Sequence, residues 1–118
     1  MRSGRQPGRV AQHRMPEFQL TRAAEQDLMG IALYGDERFG EDQSNRYRDQ
    51  LREHFSRLAQ NPQLYPAVDH IRPGYRRSVC GAHAVYYRIQ TPDILIVRVL
   101  GRQDVHRMLA AGQTSESK

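Results

Sequence analysis

The sequence predicts an α+β fold in the order β-α-α-β-β-β, a helical hairpin packed on a small antiparallel sheet and closed by a short C-terminal helix. Three observations predict it. Two long stretches in the first half repeat apolar residues at spacings of three and four, the period of a half-buried helix. Three stretches in the second half, Ile71 to Val79, His83 to Ile89 and Asp93 to Leu100, are rich in β-branched and aromatic residues that favour strands. The connections within each half are short enough to force hairpins.

The elements follow in order. Glu17-Phe18-Gln19-Leu20 reads as a first short strand with Phe18 and Leu20 on one face, and Thr21 offers a helix N-cap. From Arg22 to Phe39 the stripe Ala24, Leu28, Ile31, Ala32, Gly35 and Phe39 draws one apolar face, and Gly30 and Gly35 permit close packing. Gly40 ends that helix. A second helix runs from about Asp42 to Gln60 with Tyr47, Leu51, Phe55, Leu58 and Ala59 inward, and Asn61-Pro62 stops it. Residues 61–74, with Pro62, Pro66, Pro73 and Gly74, form a loop into the strands. Cys80-Gly81 and Thr91-Pro92 mark two tight turns, which makes the three strands a meander. Val85, Tyr87 and Ile89 alternate with Ala84, Tyr86 and Arg88; Leu95, Val97 and Val99 alternate with Ile94, Ile96 and Arg98. The last strand is apolar on both sides and should be central, with the helical hairpin as the sheet's lid. A helical turn from Asp104 to Leu109 closes the chain.

At 118 residues, 38% hydrophobic and 26% charged, this is one ordinary domain. Residues 1–14 mix Gly, Pro, Gln and four arginines without apolar periodicity and read as a disordered basic extension. The folded domain spans 15–109, and 110–118 is a flexible tail. No run approaches the roughly 18 apolar residues of a membrane span, and no secretory signal is evident, so the expected place is the cytoplasm. The single cysteine, Cys80, fits a reducing compartment.

Charge is distributed unevenly. Residues 22–60 hold six arginines against eight acids, whereas 72–107 hold seven arginines against Asp93 and Asp104. The only lysine is Lys118, so each cation of the folded part is a guanidinium, suited to bidentate contact with carboxylate or phosphate. Arg76, Arg77, Arg88 and Arg98 lie inside strands, where an ordinary core would exclude them. Singly, each reads as solvated or paired with a helix acid such as Asp27; together they read as a cationic surface for a partner. Tyr86 and Tyr87 read first as packing residues, and Asp27 and Tyr34 as fold residues. His13, His54, His70, His83 and His106 are scattered singly, and neither a metal-spaced cluster, a phosphate loop nor a nucleophile motif is present. No metal or cofactor is expected.

With its elements placed, the chain resembles the ParE branch of the RelE/ParE toxin superfamily. The resemblance is carried by Thr21, by Ala24-x-x-Asp27-Leu28-x-x-Ile31-x-x-Tyr34, and by Leu58-Ala59-x-Asn61-Pro62. It continues in Gly74-Tyr75-Arg76-Arg77, Tyr86-Tyr87-Arg88-Ile89 and Ile96 to Asp104, so that it spans about residues 16 to 109. No single piece is diagnostic; the ordered set is specific. Gly101 departs from the pattern, since many ParE-like sequences place a histidine there. The resemblance implies the toxin half of a type II toxin–antitoxin pair that inhibits DNA gyrase by binding and meets DNA only through gyrase or the antitoxin complex. A ParD-like antitoxin would neutralise it, and the membrane has no part. RelE-like members of the superfamily instead cleave mRNA on the ribosome, which needs a base, an acid and cations. Arg77, Arg98 or Arg102 with His106 could be assembled into such a set, but RelE-like nucleases typically use several lysines as well, and the folded part here has none.

The charge concentration and the resemblance together assign target binding to Arg76, Arg77, Arg98, Arg102, His106 and Arg107. An antitoxin segment folding along the groove between hairpin and sheet would meet Leu28, Ile31, Tyr34, Tyr47, Leu51 and Arg88.

Overall fold

A computed structural model describes residues 14–101. It contains β1 (Phe18–Leu20), α1 (Arg22–Phe39), α2 (Glu41–Gln60), β2 (Arg76–Cys80), β3 (His83–Gln90) and β4 (Asp93–Gly101). The α+β architecture and the order of elements are those the sequence predicts; the final turn expected at Asp104 to Leu109 lies outside the described residues.

Thr21 begins α1 as expected. Its Oγ1 accepts the Ala24 N–H at 3.0 Å and donates to the Val97 carbonyl at 2.8 Å, so one hydroxyl both caps the helix and ties it to β4. Gly40, at φ 87°, is the single residue between the helices, a left-handed conformation that glycine adopts without strain. The helices then meet closely: a Cβ on Gly35 would lie 2.7 Å from Ser44 Oγ. Gly30 has open space around it and plays no such part.

The sheet order is β1-β4-β3-β2, which places β4 centrally as expected. β2, β3 and β4 form the antiparallel meander, but β1 pairs parallel with β4, so the sheet is mixed. Periodicity says which face a side chain takes and nothing about strand direction, which is set by the path of the intervening helices and loop. β2 begins at Arg76, not Ile71. Residues 68–75 are instead a turn in which Val68 N–H donates to Tyr75 O at 2.8 Å and Gly74 N–H to Asp69 Oδ1 at 2.9 Å. Pro73 and Gly74, the latter at φ 84°, are incompatible with a strand there.

A β-bulge interrupts β4. Tyr86 pairs with Arg98 but Tyr87 pairs with Ile96, which leaves Val97 as the extra residue. In consequence Ile94, Ile96 and Val99 join the core together, and the strict alternation expected along this strand fails.

The core lies between α2 and the sheet, where Leu51, Phe55, Leu58, Val85, Tyr87, Ile94 and Ile96 are fully buried. Each such side chain contributes about 1.5–3 kcal/mol on leaving water. Phe18 meets Phe55 edge-on at 5.2 Å, and the Tyr87 hydroxyl donates to Pro62 O at 2.7 Å. The hairpin is not the only lid. On the opposite face Val68 packs with Ala84 and Tyr86, flanked by Ile71, Tyr75 and Leu100, so the loop before β2 covers part of that side.

Arg14 belongs with the folded part rather than the extension. Its guanidinium grips Asp93 at 2.9 and 3.0 Å, and Asp93 also accepts the Glu17 N–H. Arg14 thereby holds the Asp93 carboxyl below its usual range.

Candidate functional site

The strand arginines do not form one surface. Arg98 makes a two-point pair with Asp27 of α1, Nε and Nη2 lying 2.8 and 3.0 Å from the carboxylate. Asp27 Oδ2 also accepts the Val99 N–H at 2.9 Å. One carboxylate thus satisfies a guanidinium and a backbone donor on β4 beyond the end of β1, and α1 stands in for the missing strand. This hydrogen bonding raises the Arg98 guanidinium above its ordinary value and keeps it charged. Arg76 turns elsewhere and donates to Tyr65 O at 2.6 Å, which anchors the loop after α2. For these two residues pairing within the fold takes precedence over a common cationic patch.

Arg77 and Arg88 remain. Arg77 stands opposite Tyr86 in the ladder, and Arg88, exposed, follows Tyr86 by two residues on the same face. Arg77 Nε and the Tyr86 hydroxyl are both buried without a hydrogen-bond partner. Arg102, His106 and Arg107, the other residues assigned to target binding, lie outside the described residues.

Of the six hairpin and sheet residues assigned to the antitoxin, Leu28, Ile31, Tyr47 and Leu51 meet in one core cluster rather than on an open surface, and Tyr34 and Arg88 lie outside it. Leu51 is fully buried in the core and presents nothing to a partner. Tyr47 is a structural post: its hydroxyl lies 3.1 Å from Cys80 O, 3.1 Å from the Ala82 N–H and 2.6 Å from His83 Nδ1. It clamps the β2–β3 turn so closely that a Cβ on Gly81, at φ 59°, would fall 2.8 Å from the tyrosine ring. Arg88 sits across the sheet from the hairpin. Leu28 and Ile31 are half-buried against the core, and of the six only Tyr34 and Arg88 are exposed.

Tyr34 marks an apolar surface that the periodicity argument did not isolate. Met29, Leu33, Tyr34 and Phe39 of α1 are all more than half exposed. Phe39, expected on the buried stripe, instead packs edge-on against Tyr34 at 6.4 Å, with Arg38 over the tyrosine ring at 5.5 Å. The available signal was the placement of Met29 and Leu33, four apart and off the Ala24, Leu28, Ile31 stripe.

A buried polar pair was also missed. His54 of α2 meets Ser78 of β2 at 2.7 Å inside the core face. Burial, with the charge of Arg57 adding to it, lowers the His54 imidazole below its ordinary value. Among the described residues no three His, Cys, Asp or Glu side chains cluster as metal ligands, and no helix is long and apolar enough to cross a membrane.

Comparison with known proteins agrees with the resemblance in the sequence. The family model for the ParE toxin of the type II toxin–antitoxin system, parDE, matches residues 18–106. Toxin ParE1 of Mycobacterium tuberculosis (strain ATCC 25618 / H37Rv) is 38% identical over 94 residues, covering 78% of this chain and 96% of that protein. Toxin ParE1 of Caulobacter vibrioides is 34% identical over 86 residues, covering 73% of this chain and 88% of that one. A solved chain of the chromosomal ParDE TA system from P. aeruginosa superposes with a TM-score of 0.64 over 74% of this chain and 96% of its own length. At 20% identity that likeness shows the fold, a helical hairpin on a four-stranded sheet. The family match runs from β1 through β4, and the relatives are covered nearly end to end, so this chain belongs to the ParE toxin family of type II toxin–antitoxin systems.

Proposed function

We propose that this chain is a toxin that inhibits DNA gyrase by binding it, without catalysis of its own, in the cytoplasm, and that a ParD-like antitoxin neutralises it. The observation that carries the reading is the family match over residues 18–106. Two placements support binding over RNA cleavage. His54 and His83 are engaged with Ser78 and Tyr47, away from Arg77 and Arg88, so neither is held as a base beside those guanidiniums. The folded part also lacks the lysines on which RelE-like nucleases rely.

The target contact is assigned to Arg102, His106 and Arg107, which follow directly on β4, with Arg98 fixed by Asp27 at the base of that segment. The antitoxin surface is assigned to α1, where Tyr34 with Met29, Leu33 and Phe39 offers exposed apolar area beside Leu28 and Ile31.

Truncation after Gly101 tests the division, because it keeps all six elements. The full chain should block supercoiling and accumulate gyrase-cleaved DNA; the truncated chain should do neither, yet still bind antitoxin. Ribosome-dependent mRNA cleavage by the full chain, with supercoiling unaffected, would replace this reading with the nuclease.

A further inference from the structure

The outward side of α1 holds a pattern that the fold does not use. Arg22, Gln26, Met29, Gly30, Leu33 and Glu37 are all exposed and follow one another at spacings of four, three, one, three and four residues. Such spacings place them on one arc of the helix about 100° wide. At its middle Met29 and Leu33 are 64% and 67% exposed, and the exposed Tyr34 and Phe39 flank them. A helix normally buries one apolar stripe, and α1 already buries Ala24, Leu28 and Ile31 against the core, so this second stripe has no neighbour within the chain.

Two further features indicate what covers it. Glycine inside a helix weakens it relative to alanine, and nothing within the chain calls for one at Gly30, where a Cβ would meet nothing within 4 Å. In the middle of an exposed apolar stripe, that missing side chain leaves a gap into which a second helix can fit closely. The charged ends point the same way. Arg22 lies in the first turn of α1 and Glu37 in the last, each at the end where the helix dipole opposes its charge. Among the described residues neither takes part in an ion pair.

The spacing identifies the second helix, because it is the same when read in either direction. An antiparallel copy of α1, related by a two-fold axis between Met29 and Gly30, places Met29 over Gly30 of the second copy. It also sets Gln26 beside Leu33 and Arg22 beside Glu37, and the symmetry makes every contact twice. Each wrongly placed charge then meets its opposite seven residues from the centre. At 18 residues α1 is about 27 Å long, so this face with Tyr34 and Phe39 can supply the roughly 800 Å² per partner of a specific interface.

We propose that, without antitoxin, two copies of this chain associate through antiparallel α1 helices, with Gly30 at the crossing and reciprocal Arg22–Glu37 pairs at the ends. The antitoxin is assigned to the same helix, so its binding would displace the second copy. The dimer rests on neither the antitoxin nor the gyrase assignment, and its test contains neither protein.

Sedimentation velocity of the full chain between about 1 μM and about 100 μM should show a monomer passing into a dimer by mass action. Arg22→Glu and Glu37→Arg should each weaken the dimer about tenfold, since both symmetric contacts become repulsive, and the double variant should restore it. Each reversal suits the dipole of its own helix, so the fold is not at risk. Gly30→Leu fills the gap and should leave monomer throughout this range, with a cooperative melting transition showing that the chain stays folded. A wild-type chain that is monomeric at about 100 μM, a dimer that Gly30→Leu leaves intact, or a double variant no tighter than the single ones would each overturn the proposal.

Discussion

On the helix side of the sheet, Leu51, Phe55 and Leu58 press against Val85, Tyr87, Ile94 and Ile96, and the polar groups that enter this core are matched in pairs. Tyr87 bonds Pro62 O and His54 meets Ser78. On the far side, among the described residues, only Val68, Ala84 and Tyr86 are buried, next to a turn rather than a helix, and Tyr86 and Arg77 keep unmatched polar atoms. The contrast separates a face selected for stability, in which an unpartnered polar group is too costly to retain, from a face that retains such groups next to free guanidiniums. The same distinction divides the arginines. Arg76 and Arg98 are held by Tyr65 O and Asp27 and serve the fold, whereas Arg77 and Arg88 make no ion pair among the described residues.

The strongest way to sharpen the contrast is truncation on each face. Phe55→Ala opens a cavity in the helix-side core and should cost about 3–5 kcal/mol, and Val68→Ala on the other face should cost roughly 1 kcal/mol. Chemical denaturation of the two variants reads the difference directly, and equal losses would erase the asymmetry.

Asp27→Ala comes next. It leaves Arg98 without its carboxylate and the Val99 N–H without an acceptor, and should destabilise by about 1–3 kcal/mol. Arg98→Ala should cost less, since the Arg98 side chain is 44% exposed and its loss still leaves Asp27 bonded to the Val99 N–H. The order of the two variants in thermal melting checks whether the backbone bond or the ion pair matters more.

The smallest effect is a pH dependence. His54 titrates in the folded state below its ordinary value of 6.5, because burial disfavours the charged ring. The unfolded chain therefore takes up the proton first. The contribution of His54 is full above about pH 6.5 and declines as pH falls toward the folded value, with a slope of at most about 1.4 kcal/mol per pH unit for one proton. His54→Gln should flatten the stability profile below about pH 6.5, where the unfolded chain begins to take up the proton. An unchanged profile would show that the buried pair does not couple to protons.

Much of the architecture was legible in the residues. The 3.6 period over Ala24 to Ile31 and Leu51 to Ala59, the caps at Thr21 and Asn61, and the turns at Gly40 and Gly81 are local signals, so they mark both helices and the meander without knowledge of the rest. The pairing of an arginine with Asp27 was also within reach as one of two readings. The candidate site was much less legible. Tyr47 and Leu51 share a helical stripe with core residues, and nothing local distinguishes a clamp or a core side chain from a contact surface.

What the sequence alone determined are the quantities that depend on neighbours along the chain: helix faces, strand propensity, turn positions, the absence of lysine before Lys118, and the uneven charge. What only the tertiary structure decided depends on neighbours across it. The parallel β1, the bulge at Val97, the Asp27–Arg98 pair, the His54–Ser78 pair and the two unmatched atoms of Arg77 and Tyr86 all arise where distant segments meet. A period of two or 3.6 is blind to such meetings, because a strand's direction, an inserted residue and the partner of a buried polar group are fixed by packing in three dimensions.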